Sequence, residues 1–147
     1  MDPRERPEYN RRLIEQFRAS RGAAGGPMDG RHLLLLTTTG AKTGQRRTTP
    51  MMYVPDDSDS ANGPRLLVIA SNAGAPAHPD WYRNLLAHPD VTVEAVNETY
   101  EARAVVLEGA ERERIWASIV AQYPFFAQHQ AQITRQIPVV ALERRVG

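Results

Sequence analysis

Apolar positions recur first at a helical and then at a strand period. Between Pro7 and Arg21, Tyr9, Leu13 and Phe17 return every four residues with Ile14 beside Leu13, one apolar stripe on an amphipathic helix. Gly22 ends it. The stripe predicts packing against the rest of the domain. The alternative is a surface-seeking helix, because the first 21 residues carry six arginines against four acids, an excess suited to an anionic membrane face. After the flexible stretch GAAGGPMDG, the apolar run RHLLLLTTT predicts a buried strand. RRTTPMMYV predicts the next strand, with Pro50 implying an edge or a bulge. Asp56 to Pro64 reads as a polar surface turn and RLLVIAS as a third strand.

DWYRNLLAH predicts a short helix started by Asp80 and stopped before Pro89. The alternating runs Val91 to Val96 and Tyr100 to Leu107 predict a hairpin around an Asn-Glu turn. Glu111 to Gln122 reads as a helix with Ile115 and Ile119 inward and Trp116 a third candidate. Pro124 interrupts it, a further helical stretch follows, and VVALER is the last strand. The result is an α+β domain of about six mostly antiparallel strands with helices around them, a small β-barrel or sandwich. Residues 1–30 form an N-terminal helix and loop, and 31–147 a single domain.

Composition narrows the chemistry. At 147 residues, 41% of them hydrophobic, the chain fits one core. A net charge of +1 gives no reason to expect nucleic acid as a partner. The absence of cysteine excludes disulfides, thiolate catalysis and cysteine-ligated metal sites. The histidines have no metal-binding spacing, so no metal is expected. The first residues lack the apolar core of a signal peptide, which predicts a cytoplasmic protein, membrane-associated only if the N-terminal helix seeks a surface.

Among 18 basic residues there is one lysine, Lys42, and it stands in the glycine-bearing stretch TTTGAKTGQRRTTP. The stretch is no P-loop, because the lysine does not follow a glycine and a strand rather than a helix comes next. What remains is a tight strand-to-strand turn whose backbone N–H groups and cations, Lys42 with Arg46 or Arg47, suit an anion, although a solvated hairpin turn explains it equally. Strand alternation puts the two arginines on opposite faces, so one of them can share a site with Lys42. A second small-residue segment, ASNAGAPAHPDWYRNL, lets a flat ring lie against backbone beside a helix N-terminus. Trp81 and Tyr82 divide between packing and ring contact. Trp116 and Phe125 read as core. Ser71, His78 and Asp80 are close in sequence but show no hydrolase elbow.

GAKTGQRRTTP, then ASNAGAPAHPDWYRNLLAHP, then YPFFAQHQAQITRQIPVV, in that order, resemble the deazaflavin-dependent nitroreductase family of actinobacteria, over about Leu33 to Glu143. The resemblance implies a split β-barrel like that of FMN-binding flavin reductases and the coenzyme F420, a deazaflavin with a phosphate-linked oligoglutamate tail. It implies that Lys42, Thr43, Gly44 and Arg47 hold the anionic end. Pro50, Met52, Ser71, Asn72, Ala73, Gly74, Ala75, Pro79, Trp81 and Tyr82 would hold the ring. Two departures stand out. Asn72 occupies a position that is often lysine, and Tyr123, Phe126 and His129 stand where the namesake has three tyrosines. The expected reaction is hydride transfer from the reduced coenzyme to a small electron-poor acceptor, a quinone, enone or nitro compound. Tyr123, Ser71 and His129 are the candidate proton donors or substrate contacts. An FMN-dependent reductase on the same barrel and a non-catalytic coenzyme-sequestering protein are the alternatives, and monomer and dimer both stay open.

Overall fold

The computed structural model describes residues 11, 12, 14, 15, 18, 33–56, 65–95 and 98–145. Tyr9, Leu13 and Phe17 of the N-terminal stripe, the loop before Leu33, the surface turn through Pro64 and Asn97 of the hairpin turn lie outside them. The strands are β1 (Leu33–Thr39), β2 (Arg46–Met52), β3 (Val54–Asp56), β4 (Arg65–Ile69), β5 (Asp90–Ala95), β6 (Glu98–Val106) and β7 (Val139–Arg144). Helices α1 (Asp80–Ala87), α2 (Gly109–Gln122) and α3 (Phe125–Ala131) accompany them.

The strands form one sheet, every pairing antiparallel, in the order β2-β1-β5-β6-β7-β4-β3. Its two edges, β2 and β3, are separated in the chain by Tyr53 alone. One continuous run therefore pairs with β1 up to Met52 and with β4 from Val54. A flat sheet cannot satisfy both, so it curls until its edges meet at the corner, which is how a sheet closes toward a barrel. The described residues thus form seven strands, close to the expected six or so, the extra one arising because RRTTPMMYV breaks at this buried tyrosine. Pro50 sits on an edge strand, where one missing N–H is tolerated.

Closure gives the strands two buried faces. Leu34, Leu36, Leu66, Val68, Val91, Val93, Val140 and Leu142 fill the interior. On the other face Leu67, Val139 and Ala141 lie under Ile115, Ile119 and Phe126 of α2 and α3, which explains why VVAL reads as an unbroken apolar run. LLLL is buried throughout for a related reason. Leu33 and Leu35 face outward and pack against Ile14, while Arg18 makes a paired contact with Glu94 of β5 at 2.9 and 3.2 Å. The described part of the N-terminal segment thus covers the sheet.

Arg65 ties β4 to three other elements, reaching Asp56 at 2.8 Å, Glu111 at 3.1 Å and Glu143 at 3.2 Å. α1 starts at Asp80 as expected, with Pro79 before it and no capping side chain, whereas α2 begins at Gly109, two residues ahead of the expected Glu111. Trp116 is half-buried, with the Arg112 guanidinium 4.6 Å from its ring centre. No described helix is long and apolar enough to cross a membrane.

Tyr53→Ala should expose the corner and cost about 3–5 kcal/mol, whereas Leu86→Ser, at an exposed position, should change stability by less than about 0.5 kcal/mol. Thermal unfolding of the two variants checks this. Equal transition temperatures would contradict closure through Tyr53.

Candidate functional site

The turn between β1 and β2 owes its shape to two glycines. Gly44 has φ +72°, a conformation that side chains with a Cβ resist, and a Cβ on Gly40 would come within 2.6 Å of the Thr43 hydroxyl. Thr43 Oγ1 accepts the Gln45 N–H at 3.2 Å, and the Gly40 N–H donates to Gln45 O at 2.8 Å. The turn is also tied to a distant helix. Asn84 of α1, buried, accepts the Ala41 N–H at 3.0 Å and donates to Thr38 Oγ1 at 3.2 Å.

The register separates the two arginines as alternation requires. Arg46 pairs with Thr39 and donates to Thr39 Oγ1 at 3.0 Å and Thr92 Oγ1 at 2.6 Å. Arg47 pairs with Thr38, the residue bonded by Asn84, so it shares the α1 side of the sheet with Thr49 and Met51. Among the described residues, the side chains of Lys42 and Arg47 have no acidic or hydrogen-bonding partner. Two exposed cations thus stand free, Lys42 on the turn and Arg47 at the start of β2.

A cavity of about 640 Å³ opens beside the other end of β2, within the roughly 300–1,000 Å³ of small-molecule sites. Thr49 to Met52 form one wall, Ser71, Asn72 and the segment Ala77 to Trp81 a second, and Phe125, Phe126 and His129 a third. Ile69 and Arg83 complete it. Arg47 lies three residues from Pro50, about 10 Å at strand spacing. Of the residues singled out from sequence, Pro50, Met52, Ser71, Asn72, Pro79, Trp81 and His129 line this space. Lys42, Thr43 and Gly44 on the turn, and Arg47 at the start of β2, stand apart from it.

The remaining candidates lie elsewhere. Tyr82 lines a second cavity of about 300 Å³ together with His78, Glu108 and Arg112. Gly74 and Ala75 belong to a tight 3-10 turn, Asn72–Gly74, that packs on α3, since a Cβ on Gly74 would lie 2.8 Å from Gln132 Oε1 and 3.5 Å from His129 Cα. The Ala73 side chain lies outside the described residues. Tyr123 ends α2 and stands edge-on to Phe125 and Phe126, centroids 6.2 and 6.4 Å away, off the cavity lining. Phe125, expected in the core, is half-buried and faces the cavity.

Asn72 has a local role of its own. Its φ of +51° is one that asparagine tolerates, and its amide donates to Ala77 O at 3.0 Å, bracing the segment from within. A larger brace escaped the sequence reading. Arg135, between α3 and β7, donates to the carbonyls of Ala70 (3.1 Å), Ser71 (2.8 Å) and Ala75 (3.0 and 3.2 Å), and its Nη1 lies 3.1 Å from His78 Nδ1. No periodicity announces such a contact, which spans about 60 residues of chain. His78 lines both cavities and its ring lies tilted against that of Tyr82, centroids 4.7 Å apart. Burial, then the positive charges of Arg135 and Arg83, lower its pKa and favour the neutral ring. Burial likewise raises that of Tyr82, which stays protonated.

His129 contributes a different polar feature, a buried Nδ1 with no hydrogen-bond partner among the described residues. A half-apolar cavity, with one free cation, Arg47, about 10 Å along β2 and a second, Lys42, on the glycine turn before that strand, fits a ligand that is a flat ring at one end and an anion at the other. The donor set suits F420.

Comparison with known proteins bears on the same residues. The family model described as F420H(2)-dependent quinone reductase matches residues 9–144. An F420H(2)-dependent quinone reductase of Mycobacterium tuberculosis is 35% identical over 133 residues, covering 88% of this chain and 85% of its own. A solved F420-H2 dependent reductase is 39% identical with a TM-score of 0.66, covering 81% of this chain and 100% of its own. Another solved structure, described as a domain-swapped dimer, is 36% identical with a TM-score of 0.68, covering 93% of this chain and 98% of its own. With matches that span nearly its whole length, and with the turn, the cavity and their spacing in place, the chain belongs to the F420H(2)-dependent quinone reductase family.

Proposed function

We propose that the larger cavity is where the ring of reduced F420 meets a quinone, and that the coenzyme's anionic tail runs along β2 to Lys42 and Arg47. Family membership makes the chain an oxidoreductase with F420 as its coenzyme, in place of FMN or a purely sequestering role. The observation that carries the residue assignment is that Arg47 stands unpartnered on the same strand and sheet side as the cavity wall, with Lys42, also unpartnered, on the turn that leads into that strand.

Bound F420 supplies the hydride. The chain's own residues bind, orient and exclude water. Lys42 and Arg47 neutralise the tail, each charge-assisted contact contributing about 1.5–3 kcal/mol. Asn84 acts through the turn, holding the Ala41 N–H so that Lys42 is presented from a fixed backbone. Trp81, Met51 and Phe125 supply apolar and aromatic wall for the flat ring and a flat acceptor. Of Tyr123, Ser71 and His129, the last two line the cavity, and one of them holds the proton for the reduced acceptor's oxygen. Tyr123 supports the aromatic wall. A quinone suits this wall through stacking, and enones and nitro compounds are secondary candidates on the same geometry. For the N-terminal segment, the packing of Ile14 on Leu33 and Leu35 supports a cover over the sheet in preference to a membrane contact.

Fluorescence titration with F420 at low and high salt tests the tail assignment. Lys42→Ala and Arg47→Ala should each raise Kd about tenfold or more, flatten its salt dependence, and leave kcat at saturating coenzyme within about twofold. Unchanged dissociation constants would refute the assignment. Asn84→Ala should also raise Kd, although Asn84 is buried, and should cost about 1–3 kcal/mol of stability through the unpaired groups it leaves. A variant that loses stability and keeps full affinity would show that the turn does not need this tie.

A further inference from the structure

His78 stands in the wall shared by the two cavities, and Arg135 already occupies one of its ring nitrogens. A guanidinium can only donate, so Nδ1 accepts and the ring proton sits on Nε2. The other four contacts of Arg135 go to backbone carbonyls of the same segment, which fixes the guanidinium and, through it, the ring. What His78 has left for a ligand is the Nε2–H. We propose that Arg135 is a positioning residue that holds His78 as a neutral, Nε2-protonated imidazole, and that His78 donates a hydrogen bond to a carbonyl oxygen in the larger cavity. The inference rests on reading that cavity as the redox site. Both the deazaflavin ring and a quinone carry such an oxygen, and negative charge develops on the quinone oxygen as hydride arrives, where a fixed donor is most effective.

The charges facing His78 support the neutral form at working pH. Arg135 approaches from the segment after α3, Arg83 and Tyr82 from α1, with Asp80 on the same helix. Across the smaller cavity stand Glu108, Arg112 and Glu113, of which Arg112 and Glu113 are paired at 3.0 Å. Because the folded value lies below the ordinary histidine value of about 6.5, the arrangement is complete above that pH and is lost as pH falls through the depressed value. Protonation then places a second donor against Arg135 and breaks the contact.

The test uses the full chain in two assays between pH 5 and 8: F420 affinity by fluorescence, and kcat/KM for a soluble naphthoquinone at saturating coenzyme. His78→Phe should weaken one of them about five- to tenfold, the first if the oxygen is the coenzyme's and the second if it is the quinone's. His78→Gln, which keeps an amide donor and cannot titrate, should stay within about twofold at pH 7.5 and lose the acid limb of the profile. Arg135→Gln removes a cation and should move that limb to higher pH, and adding His78→Gln to it should abolish the limb. A purely structural Arg135 would lower stability and leave the limb in place. If His78→Phe, or His78→Gln should the former not fold, keeps both values and the acid limb of the wild type, the inference fails while the redox reading stands. A wild-type protein that binds no F420 would overturn both.

Discussion

The constraint on which the rest depends is that one run of chain, residues 46–56, serves both edges of the sheet. β2 pairs with β1 and β3 pairs with β4, with Tyr53 as the corner. Closure has a direct consequence for the site, because it brings the end of β2, the end of β4 and helix α1 around one space. The cavity is therefore a product of topology. Its walls come from residues 49 to 129 of the chain, and no local segment could form it alone.

Within that frame the two functional loops are held by single side chains from afar. Asn84 reaches the turn between β1 and β2 over 43 residues, and Arg135 reaches the segment Ala70 to His78 over 57 to 65. Both loops carry positive-φ residues that cost conformational freedom on ordering. Each tie satisfies backbone groups that the loops' own turns leave over. Arg135 adds chemistry to support, because the group that fixes the carbonyls also fixes which nitrogen of His78 bears the proton. A single guanidinium thus links the shape of the wall to its hydrogen-bonding character.

Much of the fold was legible in the sequence because it rests on local period and punctuation. VVALER and the hairpin runs alternate or cluster as strands do, and Pro89 and Pro124 stop helices as expected. Gly44 marked the turn, and alternation correctly separated Arg46 from Arg47. The break at Tyr53 was hidden because the residues on both sides are β-formers, and only closure divides them. Phe125 was placed in the core by its burial preference, yet the start of α3 at the cavity rim leaves it half-buried. Asn84 and Arg135 look like ordinary polar residues in a helix and a loop. Their roles are set by partners more than 40 residues away, which no window on the sequence spans. His78 was passed over as part of an unconvincing hydrolase set, since its meaning depends on Arg135.

The central claim is that one ligand lies across both features, ring in the cavity and tail on the glycine turn. Its most direct test compares the binding of F420 and of its tail-free ring fragment to the wild type and to the double variant Lys42→Ala/Arg47→Ala. The account predicts that removing the tail weakens binding to the wild type by about 100-fold or more, and that the double variant binds both ligands nearly equally. An equal loss in the two proteins would show that the tail is held elsewhere and would contradict the account.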